Sequence, residues 1–124
     1  RMECANCHDH PLDRWKQDDY HGLAAVFARI DRKQTVRWLD RGAVTNPRTG
    51  FPAIPQLPGG PRFSSSGDVR SELADWLIQQ PDSHLAKATV NRVWSHFFGR
   101  GLVEPVDDFR ATNPPSHPAL LAAL

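Results

Sequence analysis

Two cysteines three residues apart, with a histidine directly after the second, carry the strongest chemical signal in the chain: Cys4-Ala5-Asn6-Cys7-His8. That spacing is what covalent attachment of a c-type haem requires, because both thiols must reach the vinyl groups of one porphyrin while the adjacent imidazole ligates the iron from one face. On this reading Cys4 and Cys7 are the attachment sites and His8 is the proximal ligand. The chain has 2 cysteines, and both fall inside the motif. Three other readings use the same residues. Cys4, Cys7, His8 and His10 offer thiolate and imidazole ligands of the kind zinc or iron accepts, with His10 as an alternative ligand, although four ligands packed so closely in sequence strain a closed tetrahedron. Cys4 and Cys7 can also pair as a disulfide in an oxidising compartment, making the segment part of a scaffolding or interaction module. The fourth is a chance match.

A haem often takes a second axial ligand, and Met2, His10, His21, His84, His96 and His117 are the candidates. Met2 and His10 lie too close to the motif to reach the opposite haem face readily. Asp9 and Asp13 flank His10 and can orient an imidazole, although a solvated turn around Pro11 explains them as well. Two further groups read more plainly. Arg29, Arg32, Lys33, Arg37, Arg41 and Arg48 surround Trp38 as in a phosphate-contacting surface, but the interspersed Asp31 and Asp40 favour an ordinary solvated face. Asp107 and Asp108 are adjacent and so point apart, which argues against a general acid/base pair. Neither a glycine-rich phosphate loop nor a serine nucleophile elbow is present in the sequence.

The elements that must position the motif follow from periodicity. Asp18 or Asp19 is expected to cap a helix with Tyr20, Leu23, Phe27 and Ile30 facing a core, and Thr35, Val36 and Trp38 suit a short strand. Residues 42–67 hold Asn46-Pro47, Pro52, Pro55, Pro58, Gly59-Gly60, Pro61 and Ser64-Ser65-Ser66, too many turn residues for regular structure. They read as a connector pinned by Phe51, Ile54, Leu57 and Phe63. Asp68 then caps a helix with Val69, Leu73, Trp76 and Leu77 on one face, ended by Pro81. A further helix over 85–98 sets Ala86, Val90, Val93 and Phe97 in one stripe, with Trp94 and Phe98 beside it and Gly99 placed for a left-handed C-cap. Ser116 is expected to cap a last helix with proline in its first turn.

Composition sets the bounds. With 124 residues and 40% apolar content the chain makes one modest domain or two small halves. Its 15 Lys plus Arg against 14 Asp plus Glu leave no long-range field that would steer it to nucleic acid or an anionic membrane. No apolar run approaches the roughly 20 residues of a membrane helix. The 11 prolines and 8 glycines predict a mainly α fold of short helices joined by ordered Pro/Gly-rich loops. The chain opens on Arg1 rather than methionine and closes inside an apolar helical pattern, and so reads as an internal fragment of a larger protein.

Longer blocks then narrow the reading. Cys4 through Asp13, followed by Asp19-Tyr20 and Leu23-Ala24, resembles the end of the planctomycete cytochrome-associated domain. Leu73-Ala74-Asp75-Trp76-Leu77, Val90-Asn91-Arg92-Val93-Trp94, Phe98 to Val103, and Asp107-Asp108-Phe109 through Pro114-Pro115-Ser116-His117-Pro118 resemble the domain that usually follows it. The resemblance implies residues 1–41 as the end of the first domain, 42–67 as connector and 68–124 as the start of the second. It implies large, exported, extracytoplasmic bacterial proteins, with other domains of the parent chain as partners and a redox partner unnamed. It carries the haem-type motif onto Cys4, Cys7 and His8, and motif positions without a role onto His10, Asn91, Arg92 and Asp108. The extra Asp9 and His10 are not needed for haem attachment, which keeps a metal site in play. Asn91 and Arg92 interrupt an apolar helix and are expected to meet Asp107 or Asp108, tying the tail to the helices.

Overall fold

A computed structural model describes residues 2–63, 67–80 and 82–124. Arg1, the serine run 64–66 and the expected helix stop at Pro81 lie outside these. Helix dominates, as the sequence predicts. The described residues form a 3-10 turn over Glu3–Asn6, then α1 (Gln17–Val26), β1 (Ile30–Arg32), β2 (Val36–Trp38), α2 (Val69–Gln79), α3 (His84–Phe98) and α4 (Pro118–Ala123). The chain divides into two compact units, residues 2–73 and 74–124, with the division falling inside α2.

In the first unit α1 does not bury the expected stripe. Phe27 is exposed and follows the helix as its C-cap, Tyr20 and Leu23 are half-buried, and Ile30 belongs to β1. The buried face is Gln17, His21, Gly22, Ala25 and Val26. Small residues on that face let backbone come close: a Cβ on Gly22 would lie 2.8 Å from Gln56 Cβ, and the Gln56 N–H donates to the Gly22 carbonyl at 3.1 Å. Apolar periodicity misses such a face because its partners are loop backbone rather than side chains. Nor does Asp18 or Asp19 occupy the N-cap, which is Lys16; Asp19 sits in the first turn and accepts the Lys16 N–H at 2.9 Å. Asp18 instead holds the loop, accepting from Asn46 Nδ2 at 2.7 Å and from the Arg48 guanidinium, and these bonds keep its carboxyl below the usual carboxylate range.

The expected strand is one arm of an antiparallel hairpin, with Ile30 opposite Trp38 and Arg32 opposite Val36. Beyond it, residues 42–63 are tied to α1 through polar bonds and bury Leu57, whereas Phe51 and Ile54 are exposed rather than pinning. Three members of the basic stretch, Arg29, Arg37 and Arg48, are engaged within the unit. Arg37 meets Asp31 across the hairpin at 3.8 Å, Arg48 meets Asp18, and Arg29 and Arg70 cover Trp38 with guanidinium carbons 5.2 and 4.1 Å from the ring centroid.

Asp68 caps α2 as expected, its Oδ1 accepting the Arg70 N–H at 3.1 Å while the Arg70 guanidinium grips both carboxylate oxygens. The Arg70 side-chain hydrogen bonds pull Asp68 down to about 2 from an ordinary 3.8. A carboxyl depressed in the fold contributes stability that is complete above its unfolded value and is lost as pH falls through the folded one. The start of α2 is therefore expected to loosen between about pH 4 and 2, the unfolded and folded carboxyl values. Arg70→Gln should return the Asp68 midpoint, followed by carboxyl NMR, toward 3.8. An unchanged midpoint would assign the shift to something other than the guanidinium.

In the second unit Gly99 ends α3 as predicted, with φ 72°, and Ser83 caps its start, the hydroxyl accepting the Ala86 N–H at 3.2 Å. Its inward face keeps only part of the expected stripe. Val93 and Phe97 are exposed, while Asn91 is fully buried and Val90 and Trp94 pack with Phe109 on the buried Leu102, Val103 and Leu121. Proline does open α4, but the cap is His117; Ser116 turns away, and its hydroxyl donates to the Leu102 carbonyl at 3.0 Å.

Candidate functional site

The cysteine motif is a 3-10 turn laid against the N-terminal half of α1. Ala5 points inward and is fully buried, while Cys4, Cys7 and His8 are exposed and both thiols are free. Backbone N–H groups of Cys7 and His8 close the turn onto the Cys4 carbonyl at 3.3 and 3.4 Å. His8 Nδ1 lies 2.8 Å from the Asp9 carbonyl. A carbonyl only accepts, so Nδ1 carries a hydrogen and Nε2 is the nitrogen left to ligate a metal.

Two side chains one helical turn apart on α1 hold the motif. Gln17, 7% exposed, donates from Nε2 to the carbonyls of Cys7 at 3.1 Å and Asn6 at 3.3 Å. His21, 5% exposed, places Nε2 3.1 Å from the same Asn6 carbonyl. Asp9 closes the loop from the other side by accepting the Gln17 N–H at 2.9 Å, which satisfies one of the helix's open N-terminal donors. Of the two readings of Asp9 and Asp13, the local turn around Pro11 accounts for the bonds of Asp13 and His10. Asp13 accepts the Arg14 N–H, and His10 Nδ1 accepts the Leu12 N–H at 3.1 Å within a local turn.

Among the described residues no group of three or more His, Cys, Asp or Glu is arranged to hold a metal ion, so Cys4, Cys7, His8 and His10 are not gathered as a zinc or iron cage. Of the possible second axial ligands, His21 is committed to the Asn6 carbonyl, Met2 and His10 are half-buried near the motif, and His84, His96 and His117 belong to the second unit.

Asn91, Arg92 and Asp108 form a separate constellation. Asn91 accepts the Val103 N–H at 2.9 Å and donates to the carbonyls of Val103 and Val106, both at 2.9 Å. It thus meets backbone rather than the expected carboxylates. Arg92 does pair with Asp107 at 2.5 Å, on the surface. Asp108 is forked by Arg110 through two 2.6 Å bonds, and that hydrogen bonding holds its carboxyl below the ordinary range. Both aspartates are thus committed to ion pairs, and the constellation fastens residues 101–110 onto α3.

The reading of the motif by spacing reaches Cys4, Cys7 and His8 but not Gln17. Its signal lies in the sequence all the same: two polar residues four apart on a helix, followed by the small Gly22 and Ala25, mark a face that meets backbone carbonyls.

These arrangements define a mainly helical pair of units, the first presenting a cysteine–histidine turn and the second organised around a buried asparagine. Residues 1–32 match the family model of PSCyt2, a protein of unknown function (DUF1549), and residues 69–124 match that of PSD1, a protein of unknown function (DUF1553). Both agree with the resemblance to planctomycete cytochrome-associated domains, and together they point to a multidomain parent chain. No curated protein and no solved structure matches the chain. No helix among the described residues is long and apolar enough to cross a membrane.

Proposed function

We propose that Cys4 and Cys7 are the covalent attachment sites of a c-type haem and His8 its proximal ligand, in an electron-transfer-related part of an exported, multidomain bacterial protein. The observation that carries this reading is the state of the three side chains: two free, exposed thiols and an exposed imidazole whose Nδ1 is anchored on the Asp9 carbonyl at 2.8 Å. The donor set fits the group, with soft thiols at the required spacing and an imidazole whose Nδ1 is engaged by a backbone carbonyl, which leaves Nε2 as the ligating atom. A haem held there supplies one-electron chemistry at its iron. The chain's own contribution is to keep the thiols accessible, fix the His8 tautomer and hold the motif's backbone against α1. The resemblance to planctomycete cytochrome-associated domains supports an extracytoplasmic setting for this reading, with other domains of the parent chain as the first partners.

The test is the intact mass and visible spectrum of the chain exported from a host with cytochrome c maturation machinery. A covalent haem mass and an absorption band are expected, both abolished by Cys4→Ala/Cys7→Ala. An unmodified mass without the band would sink the reading. Bound-metal analysis would then separate zinc or iron on Cys4, Cys7, His8 and His10 from a Cys4–Cys7 disulfide in a scaffolding module.

A further inference from the structure

The motif's backbone is held by side chains that no haem or metal chemistry requires. Gln17 and His21 bury all but 7% and 5% of their surface, and their donors converge on two adjacent carbonyls, those of Asn6 and Cys7. His21 Nε2 must be the protonated nitrogen, because its partner is a carbonyl. Its Nδ1 is buried and has no hydrogen-bond partner among the described residues. Leaving a buried nitrogen unpaired costs free energy. A ring kept at that cost, with its single donor aimed into the cysteine turn, is placed for the turn rather than for the core. Asp9, directly after the motif's histidine, returns the contact by accepting the Gln17 N–H at 2.9 Å. The turn and the first turn of α1 therefore brace each other from both sides.

We propose that Gln17 and His21 are positioning residues that preset Cys4 and Cys7 as a single dithiol unit. By fixing the Asn6 and Cys7 carbonyls against α1, they keep the 3-10 turn closed and both thiols on its solvent side before any group is attached. The functional consequence rests on the reading of Cys4 and Cys7 as the attachment site; the geometric claim does not. A preset pair meets a two-point partner with less ordering cost than a mobile segment does. The clamp also explains why the motif continues through Asp9.

The unloaded full-length chain can be titrated with phenylarsine oxide, a probe that takes two thiols at once: both S–H bonds are replaced by S–As bonds and the arsenoxide oxygen leaves as water. Gln17→Met keeps the length of the side chain without a donor, His21→Phe removes the other donor, and His21→Gln restores one near the position of Nε2. Melting curves identify the variants that remain folded at the assay temperature. Arsenical affinity is expected to fall about tenfold in Gln17→Met and in folded His21→Phe, the scale of one or two net hydrogen bonds, and to stay within about twofold of the parent in His21→Gln. Unchanged affinity in folded Gln17→Met overturns the clamp, and so does a His21→Gln loss as large as that of Gln17→Met. The haem experiment fails separately. A parent chain that takes up no haem, with arsenical affinity still dependent on Gln17, supports the clamp and removes the cytochrome reading.

Discussion

Asn91→Ala is expected to destabilise the second unit by about 3–5 kcal/mol, enough to consume much of the stability of a small domain. The side chain is fully buried and uses three hydrogen bonds of 2.9 Å, one accepted from the Val103 N–H and two donated to the Val103 and Val106 carbonyls. Alanine leaves a cavity and three backbone groups without their partner. Each such group costs about 1–3 kcal/mol where water cannot reach it, and partial relaxation keeps the total below the sum. Asn91→Asp keeps the acceptor for the Val103 N–H but turns an oxygen toward two carbonyls, so it should be at least as damaging at neutral pH. Arg92→Ala is the control. Its side chain is 68% exposed, and an exposed ion pair such as Arg92–Asp107 contributes about 0–1 kcal/mol. Denaturant unfolding should therefore separate two neighbours in sequence by several kcal/mol. Stable Asn91→Ala protein lacking only the parent protein's activity would reverse the argument and move Asn91 to a functional site.

The same residue shows where sequence reasoning stops. Gly99 announces the end of α3, and Asp68 the start of α2, because capping is a local property, satisfied within a few residues. The inward face of α3 is not local. A pattern of Ala86, Val90, Val93 and Phe97 is the natural apolar stripe, yet the backbone of residues 103–106 selects the face of Asn91, and Val93 and Phe97 stay exposed. In α1 the divergence is greater, since Gln17 and His21 head the buried face and Gly22 admits the Gln56 backbone. Both helices bury polar groups for one physical reason: the neighbouring element offers unpaired carbonyls, which apolar side chains cannot satisfy. The cysteine motif was legible because its chemistry lies within five residues; its clamp, ten and fifteen residues downstream of Cys7 and Asn6, was not.

Gly42→Ala should be the most damaging conservative change in the first unit, at about 3 kcal/mol. A Cβ at this position would stand 2.1 Å from the Ala28 carbonyl oxygen, 2.7 Å from its carbon and 3.0 Å from Arg29 Cα. All three are backbone atoms, so no rotamer change relieves the overlap, and one chain must move away from the other. The return strand is held just upstream: the Leu39 N–H donates to the Arg29 carbonyl at 2.8 Å, and the Arg29 guanidinium donates to the Asp40 carbonyl. Displacing residues 39–42 therefore pulls on the end of the hairpin and on Trp38, which lies under Arg29 and Arg70. Gly50→Ala makes the comparison sharp. Gly50 has φ 72° and nothing within 4 Å of the place a Cβ would take, so alanine there meets only the left-handed backbone penalty of about 1 kcal/mol. Local turn preference alone would rank the two the other way, because Gly50 closes a turn by donating its N–H to the Asn46 carbonyl at 2.8 Å. Denaturation midpoints at equal slope decide the matter. A Gly42→Ala loss several times that of Gly50→Ala places the constraint in the close passage of two chains; equal losses would place it in local turn preference instead.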